Sequence, residues 1–444
     1  MQPLEPKVWP DTARLDAHGV LEVGGLDVQS LARDYGTPLF VLDRADVERR
    51  LAEYSAAFAD SPLEVHLHYA SKAFASADFL RWVDAAGFGV DVASGGELAL
   101  ALAAGVPGER IVMHGNNKST SELQRAIAAG VSAIVIDSFD EIDRLERLVR
   151  DLAHRVDVMI RLTLGVEAHT HEFIATAHED QKFGLSVASG AAEEAVKQVL
   201  EVPNLRLTGF HSHIGSQMFD PKGFELAAVR ALEFCGHLRD HLGYVADELD
   251  LGGGLGIAYL PGDDPLPIAD MASALSAVVV RSCERLALPL PTLSLEPGRA
   301  IVGTSTITLY EVGTVKPVAL DGGEQRLYVS VDGGMSDNLR TSLYGAEYTA
   351  RVVNRSTLGV PVQARVVGKH CESGDIVVRD VELPADIGPG DLLAVASSGA
   401  YHRSMASNYN LVPRPGVVAV RDGIAQVLIR RETESDLLRL DAGL

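Results

Sequence analysis

The chain has 444 residues, a length that predicts two domains rather than a single core. Hydrophobic residues make up 47% of it, and the formal net charge of −22 argues against partners that need basic patches, such as nucleic acid and anionic membrane surfaces. No apolar run approaches the length of a membrane span, no signal peptide is evident, and three cysteines suit a reducing compartment, so a cytoplasmic location is expected.

Residues 1–42 contain short strand-like runs, and we expect this segment to join a β domain built from the end of the chain. From about residue 63 to about residue 300, short apolar runs alternate with stretches of helical periodicity. The apolar runs predict eight buried strands: LEVHLHYA, FGVDVA, RIVMHG, SAIVID, VDVMIRL, LRLTGFHSH, DELDLGGG and LSLEPG. Eight parallel strands with crossover helices close into a (β/α)8 barrel, which we assign to residues 43–304. An open doubly wound sheet is the alternative, but its glycine fingerprint is missing near the first strand.

Three stretches between these strands predict helices with particular clarity: GELALALAAG, TSELQRAIAAG and SFDEIDRLERLVRDLAHR. In the last of them, Ser138 followed by Glu141 predicts a capping box. After about residue 305 the pattern changes to alternating runs separated by Gly, Pro and Asp. This pattern predicts a mostly antiparallel β domain over residues 305–444.

Polar side chains or glycines stand at nearly every predicted strand end of the barrel. They are Lys72, Asp91, His114, Asn116, Asp137, Arg161, His211, His213, Ser216, Gly252, Gly253, Gly254, Glu296 and Arg299. Each has an ordinary alternative, such as a surface lysine, a capping aspartate or a core histidine. Catalytic groups of such barrels gather at the carboxyl ends of the strands, so the whole set predicts an active site.

The chemistry of these strand ends points to one cofactor. The loops after strands 7 and 8 are the recurring phosphate site of such barrels, and here they hold three consecutive glycines and the sequence PGR. Lys72 follows an apolar strand, and we expect it to be buried, where desolvation favours a reactive amine. A phosphate cradle, a lysine and a carboxylate such as Glu296 are the parts that pyridoxal 5'-phosphate (PLP) needs.

Seven motifs together resemble the diaminopimelate decarboxylases, PLP-dependent members of the ornithine/diaminopimelate/arginine decarboxylase family with the alanine-racemase-type fold. In chain order they are HYASKAF, HSHIGSQ, LDLGGGLG, EPGR, VDGGMSDNLRTSLYG, GKHCESGD and SSGAYHRSMASNYN. A single one, such as EPGR, is weak, but seven in order over nearly the whole chain are specific. The resemblance implies decarboxylation of meso-2,6-diaminopimelate to L-lysine and CO2, the last step of lysine biosynthesis.

The resemblance also implies a role for each matching residue. Lys72 would hold PLP covalently, His213 would lie against one face of its ring, and Glu296 would keep the pyridine nitrogen protonated. The other cofactor contacts would come from Asp91, Ser216, Gly253, Gly254, Pro297, Gly298, Arg299 and Tyr401. The far end of the substrate would be bound by Arg299, Arg340, Tyr344, Glu372 and Tyr401.

The sequence HCESGD places Cys371 between a histidine and a glutamate. In the family this cysteine is the proton donor, and a thiol can donate near neutral pH and be recharged. The segment crosses a dimer interface in the family, which implies a homodimer whose active sites are shared between subunits. Cys235 and Cys283 lie in apolar helical stretches and are expected to be inert core residues.

Several alternatives remain open from the sequence. An ornithine- or arginine-type decarboxylase would carry an acidic pocket for a terminal cation only, and a racemase would need a second base facing Lys72 in place of the HCESGD donor. An inactive regulatory relative would have lost Lys72 or Cys371, and a PLP-free hydrolase would bind no cofactor. His169, His171 and His178 lack the spacing of a helical zinc pair, so we expect no metal there but a mobile loop over the site.

Overall fold

A computed structural model describes residues 3–166 and 181–444 of the chain. The chain divides into two compact units. The barrel unit comprises Leu51–Gly256 and Pro265–Gly298, and the β unit comprises Met1–Arg50, Ile257–Asp264 and Arg299–Leu444. His169, His171 and His178 lie outside the described residues, so the loop and the metal alternative both stay predictions.

The barrel unit contains a closed ring of eight parallel strands, as the sequence predicted. We number them β1 to β8: Val65–Ala70, Gly89–Val92, Ile111–Met113, Ala133–Ile136, Val156–Thr163, Leu205–His211, Glu248–Asp250 and Thr292–Leu295. Each strand pairs with the next along the chain, and β8 closes the ring by pairing with β1. The two-residue strand Leu185–Ser186 adds to β5. Strands buried on both faces read as continuous apolar runs, which is why the sequence located all of them.

Helices alternate with the strands in the described part of this unit. They are Ala77–Ala85, Gly95–Ala104, Thr120–Ala129, Phe139–Val149, Ala191–Glu201, Lys222–Leu242 and Ile268–Leu286, with the 3-10 turn Gly108–Arg110. Arg44–Ala57 precedes β1. None of the helices in the described ranges combines the length and apolarity needed to cross a bilayer.

The capping box predicted at Ser138 is wrong. Ser138 takes the N-cap position, but its side chain caps no backbone amide, and the helix ends at Val149. The reason is that Glu141 is buried and engaged elsewhere, with Oε1 2.8 Å from Lys118 Nζ. A capping box does form one helix earlier, between Ser119 and Glu122.

The β unit is built on a large, mostly antiparallel sheet. Its main path runs Ile376–Pro384, Pro361–Val367, Gln325–Val331, Thr306–Ala319, Leu39–Asp43, Gly416–Arg421 and Ile424–Ile429. Ala350–Val352 and Leu392–Val395 pair with each other, and the latter also pairs with the long strand Thr306–Ala319. The short helices of this unit are Arg299–Val302, Arg340–Tyr344 and Glu434–Leu438, and the 3-10 turns are Arg403–Met405 and Tyr409–Leu411.

Both ends of the chain build this unit. A small antiparallel sheet of Arg14–Leu15, Leu21–Val23 and Leu26–Asp27 leads into the helix Val28–Tyr35. Leu39–Asp43 then lies inside the large sheet, antiparallel to Thr306–Ala319 and parallel to Gly416–Arg421. Val8, Leu21, Ile307 and Val418 share one buried core. The predicted fold class, a barrel plus a β domain that includes the N-terminal segment, is confirmed.

Candidate active site

Lys72 lies two residues beyond β1, and its predicted burial is wrong, because the side chain is exposed. The strand ends at Ala70, and the chain then turns at Ser71, whose hydroxyl donates to the backbone oxygen of Asp91 (2.6 Å). This turn leaves Lys72 outside the closely packed strand. Its positive charge nevertheless acts on the barrel mouth, where it contributes to the lowered pKa of Glu296 and opposes part of the rise in the pKa of Asp91.

Glu296 follows β8 and is buried, with only 5% of its surface exposed. Its Oε1 lies 3.0 Å from His211 Nε2 and 3.4 Å from His114 Nε2. Neither nitrogen is well aligned, and Oε1 has no hydrogen-bond donor among the described residues. Burial alone would raise the pKa of Glu296, but His114, His211 and Lys72 outweigh it and hold the pKa well below its usual value. Glu296 is therefore a buried carboxylate with an unused acceptor.

Burial shifts the histidine and aspartate side chains around Glu296 toward their uncharged forms. It lowers the pKa values of His114 and His211 to about 4 and that of His213 to about 3, so all three imidazoles are neutral at pH 7. Burial, together with the charge of Glu296, raises the pKa values of Asp91 and Asp250 well above their usual values. Burial therefore shifts Asp91 and Asp250 toward the uncharged form, whereas Glu296 is shifted toward the charged form.

The glycine run Gly252–Gly254 has a packing role that the sequence did not reveal. Gly252 has a φ of +70°, and a Cβ on Gly253 would lie 2.1 Å from the backbone oxygen of Glu296. Only glycine lets the loops after β7 and β8 approach so closely. Pro297 and Gly298 similarly close against the end of β1, where the amide of Ala70 donates to the Pro297 oxygen (3.2 Å). Ser216 is half-buried in the loop after β6.

In the β unit, two of the predicted arginines converge on one tyrosine. Arg299 and Arg340 are both buried, and both donate a hydrogen bond to the hydroxyl of Tyr259. The distance from the Arg340 guanidinium nitrogen to this hydroxyl oxygen is 2.7 Å. Their guanidinium groups also lie over the ring of Tyr401, at 4.9 Å and 5.8 Å from its centroid. Arg340 forms no ion pair with an acidic side chain in the described ranges. Tyr344, on the same short helix as Arg340, is exposed.

Tyr259 is a site residue that sequence reasoning missed. It lies in Ile257–Asp264, the short piece of chain that belongs to the β unit although barrel residues flank it on both sides. Its ring packs edge-to-face against Tyr348, which packs in turn against His402. The sequence LPGDD that follows gave no signal, because an isolated tyrosine in a loop has no characteristic pattern.

The HCESGD loop, residues 370–375, has buried ends and an exposed tip. His370 Nε2 lies 2.8 Å from the Ser336 hydroxyl, and the Asp375 carboxylate accepts from the backbone amides of His370 (2.8 Å) and Met335 (2.6 Å). Cys371 and Glu372 are exposed between these anchors. By contrast, Cys235 and Cys283 are buried, as expected, and burial raises the pKa of Cys235 to about 12.

The structure thus brings together Asp91, His213, Glu296 and the glycine loops at the strand ends of the barrel unit, with the charge of Lys72 acting on them. It separately brings together Arg299, Arg340 and Tyr401 in the β unit. Of the other strand-end residues, Asp137 accepts from the amide of Gly184 (2.7 Å), Arg161 lies over the ring of Phe183 (4.4 Å), and Asn116 is half-buried.

Comparisons with known proteins agree with this geometry. A family model described as "Pyridoxal-dependent decarboxylase, pyridoxal binding domain" matches residues 44–303. The chain is 55% identical over 445 residues to the diaminopimelate decarboxylase of Mycobacterium bovis, covering 99% of this chain and 98% of that one. It is 44% identical over 430 residues to the enzyme of the same name from Bacillus subtilis, covering 97% of each chain.

A solved structure shows the same fold over almost the whole chain. The diaminopimelate decarboxylase from M. jannaschii, in complex with L-lysine, is 32% identical with a TM-score of 0.89 and covers 97% of this chain and 98% of that one. Family model, relatives and fold all point the same way. The chain belongs to the diaminopimelate decarboxylase family of PLP-dependent enzymes.

Proposed function

We propose that this protein removes CO2 from meso-2,6-diaminopimelate to give L-lysine, using PLP as its cofactor. The observation that carries the proposal is Glu296, a buried carboxylate with an unused acceptor, on which the charge of Lys72 acts. The relatives named diaminopimelate decarboxylase, and the neighbour that holds L-lysine, support this substrate over other amino acids.

The residues of the barrel mouth fit PLP. A protonated pyridine ring withdraws electrons from the bond to the departing carboxyl group, which is the chemistry that PLP supplies. Glu296 would accept a hydrogen bond from the ring nitrogen and keep it protonated, and neutral His213 would lie against a ring face without competing for a proton. Lys72 would hold the cofactor covalently, with the remaining contacts from Asp91, Ser216, Gly253, Gly254, Pro297, Gly298, Arg299 and Tyr401.

We assign the far end of the substrate to Arg299, Arg340, Tyr344, Tyr401 and Glu372. Arg340 supports this assignment, because a buried guanidinium without an acidic partner is costly unless a ligand supplies the carboxylate. A guanidinium can bind a carboxylate through two parallel hydrogen bonds. Glu372 would bind the remote ammonium group of the same substrate.

We assign to Cys371 the delivery of a proton to the carbon that has lost CO2. The loop that carries it is anchored at both ends and presents the thiol on the surface of its unit. We propose that in a homodimer this exposed tip serves the active site of the other subunit, as the family resemblance implies. The three cysteines are all free thiols, which suits a cytoplasmic location.

The primary test is turnover by the purified protein supplied with PLP. We expect a yellow protein that releases CO2 from meso-diaminopimelate and forms L-lysine in equal amounts, with little turnover of ornithine or arginine. Borohydride reduction followed by peptide mapping should place the pyridoxyl label on Lys72. A colourless protein that fails to bind PLP, or a label on another lysine, would contradict the proposal.

Complementation tests the shared site separately. Lys72→Ala and Cys371→Ala should each be inactive, but a mixed dimer would carry both lesions in one site and leave the other intact. Random re-pairing of equal amounts makes half of the dimers mixed, so about a quarter of wild-type activity should return. If mixed dimers form and no activity returns, Cys371 acts within its own chain.

A further inference from the structure

Two histidines contact Glu296 from strands that are not its neighbours in the barrel. Glu296 follows β8, which pairs with β7 and β1, whereas His114 follows β3 and His211 ends β6. Their Nε2 atoms approach the same carboxylate oxygen, at 3.4 Å and 3.0 Å. The two imidazole rings meet edge-to-face with centroids 5.0 Å apart, so each also limits the movement of the other.

His114 lies between two carboxyl groups. Its Nε2 is 3.4 Å from Glu296 Oε1 and 3.5 Å from Asp91 Oδ1. Other charged or titratable groups that act on this cluster are Lys72, Lys118, Glu97, Asp250, His213, His68 and Arg161. Because His114 and His211 are neutral at pH 7, they contact Glu296 as dipoles and leave its negative charge available to a ligand.

A carboxylate on a flexible side chain needs such support. Glu296 must hold its oxygen in line with the pyridine nitrogen, and an error of about 1 Å is enough to weaken a designed or natural site substantially. A buried carboxylate without polar neighbours would also take up a proton, because burial disfavours its charge. It would then no longer favour a protonated ring nitrogen.

We propose that His211 and His114 are positioning residues, which confine the Glu296 carboxylate from two sides and keep it ionised so that it holds the proton on the cofactor's pyridine nitrogen. The inference rests on the proposed function, since it concerns the PLP site of that reaction. His211 has the larger share, because its nitrogen is the nearer of the two. Neither histidine is assigned a contact with the substrate.

The test removes the ring nitrogens of His211 while retaining the shape of the ring. His211→Phe should weaken PLP binding and lower kcat by about 10- to 100-fold, the usual loss when a group that orients a ligand-binding residue is removed. KM should change much less. The 15N NMR shift of bound ring-labelled PLP should move from that of a protonated toward that of an unprotonated pyridine nitrogen. His211→Gln, which again offers a polar N–H group beside the carboxylate, should recover most of each loss, and His114→Leu should show a smaller loss.

The matched control is Thr208→Val on the same strand. Thr208 is buried and donates to the oxygen of Val158 (3.2 Å), so this isosteric change perturbs β6 without removing a group near Glu296. It should leave PLP affinity and the 15N shift unchanged. Thermal unfolding and far-ultraviolet circular dichroism establish that each variant is folded, and His211→Leu replaces His211→Phe if the latter does not fold.

Three results would overturn the inference. One is a folded His211→Phe protein with wild-type PLP affinity and 15N shift. A second is an equal loss in Thr208→Val, which would make the effect one of strand stability. The third is a stoichiometric transition metal in the purified protein, bound by His114, His211 and Glu296, whose ligand atoms lie within 4.8 Å of one another. Failure of the wild-type protein to bind PLP or turn over diaminopimelate would instead contradict the proposed function, so the two failures are distinguishable.

Discussion

Two buried acidic groups of the barrel unit, Glu141 and Glu296, differ in how their charge is balanced. Glu141 has a lysine beside it: Lys118 Nζ lies 2.8 Å from its Oε1 and also donates to the backbone oxygens of Gly115 (2.6 Å) and Val135 (2.7 Å). Glu296 has the imidazole nitrogens of His211 and His114 at 3.0 Å and 3.4 Å and the carboxyl group of Asp91 beside it, and it forms no ion pair with a lysine or arginine in the described part of the chain. A lysine therefore balances the charge of Glu141 within the fold, whereas in the described ranges no lysine or arginine is paired with Glu296.

This difference teaches that burial alone does not mark a functional group. Lys118 is almost fully buried, at 2% exposure, whereas the lysine in the cofactor motif, Lys72, is exposed. A search for buried lysines would therefore choose the wrong residue. What separates Glu296 from Glu141 is the lack of a paired lysine or arginine among the described residues, and a buried charge without such a partner is a candidate for ligand binding.

The largest effect is expected at the exposed lysine. Lys72→Ala should reduce decarboxylation to below about 0.1% of the wild-type rate, because no other amine can replace the covalent attachment of the cofactor. The midpoint of thermal unfolding of the cofactor-free protein should stay unchanged, since an exposed side chain contributes little to packing. Assays of CO2 release together with thermal unfolding check both expectations. A large loss of stability would mean that Lys72 is structural.

Glu296→Gln should cause the next largest loss, a fall in kcat of about 100- to 1,000-fold, as found when a preorganised electrostatic contact is removed. The cofactor-free protein should be no less stable than wild type, because the variant removes an unbalanced buried charge.

Asp250→Asn is the matched control for Glu296→Gln. Burial raises the pKa of Asp250 well above its usual value, which favours its uncharged form, and an asparagine oxygen can still accept from the Gly252 amide (2.7 Å). Steady-state kinetics should show a small change in kcat for this variant. Equal losses in the two variants would show that charge at Glu296 is not the deciding property.

Arg340→Ala extends the comparison to the β unit, where a guanidinium is the unbalanced group. We expect KM for diaminopimelate to rise by about 10- to 150-fold, corresponding to a charge-assisted hydrogen bond of about 1.5–3 kcal/mol. Discrimination against lysine should shrink at the same time. Arg355→Ala is the control, since Arg355 is balanced by Asp391 (2.6 Å) and Asp386 (2.9 Å) and should affect stability but not KM.

The smallest effect on activity is expected at the ion pair between Lys118 and Glu141. Lys118→Met should lower the free energy of unfolding by about 3–5 kcal/mol, because it leaves the Glu141 charge buried without its partner. The double variant Lys118→Met/Glu141→Leu should recover much of this loss. The kcat of the folded protein should stay near wild type in both, as measured below the unfolding transition. A specific loss of kcat in the stable double variant would give this pair a functional role.

The sequence located the eight strands and the strand-end residues because both depend on local pattern. The contacts of His114 and His211 with Glu296 could not be predicted from the sequence, since they form across the barrel and depend on the register of strands far apart in the chain. The exposure of Lys72 could not be predicted either, because apolar periodicity does not determine the path of the loop that follows a strand. The capping box at Ser138 failed for a related reason: Lys118, remote in sequence, engages Glu141.

The tip of the HCESGD loop is free to evolve independently of its stem. His370 and Asp375 fasten the two ends into the β unit, whereas Cys371 and Glu372 are exposed and bury little surface. Substitution of Cys371 should therefore alter the chemistry presented at the surface with little effect on the loop backbone, whereas Glu372 also accepts from the Gly374 amide (3.3 Å). The thiol and the carboxylate are thus carried by a backbone that is fixed through its two ends rather than through the tip itself.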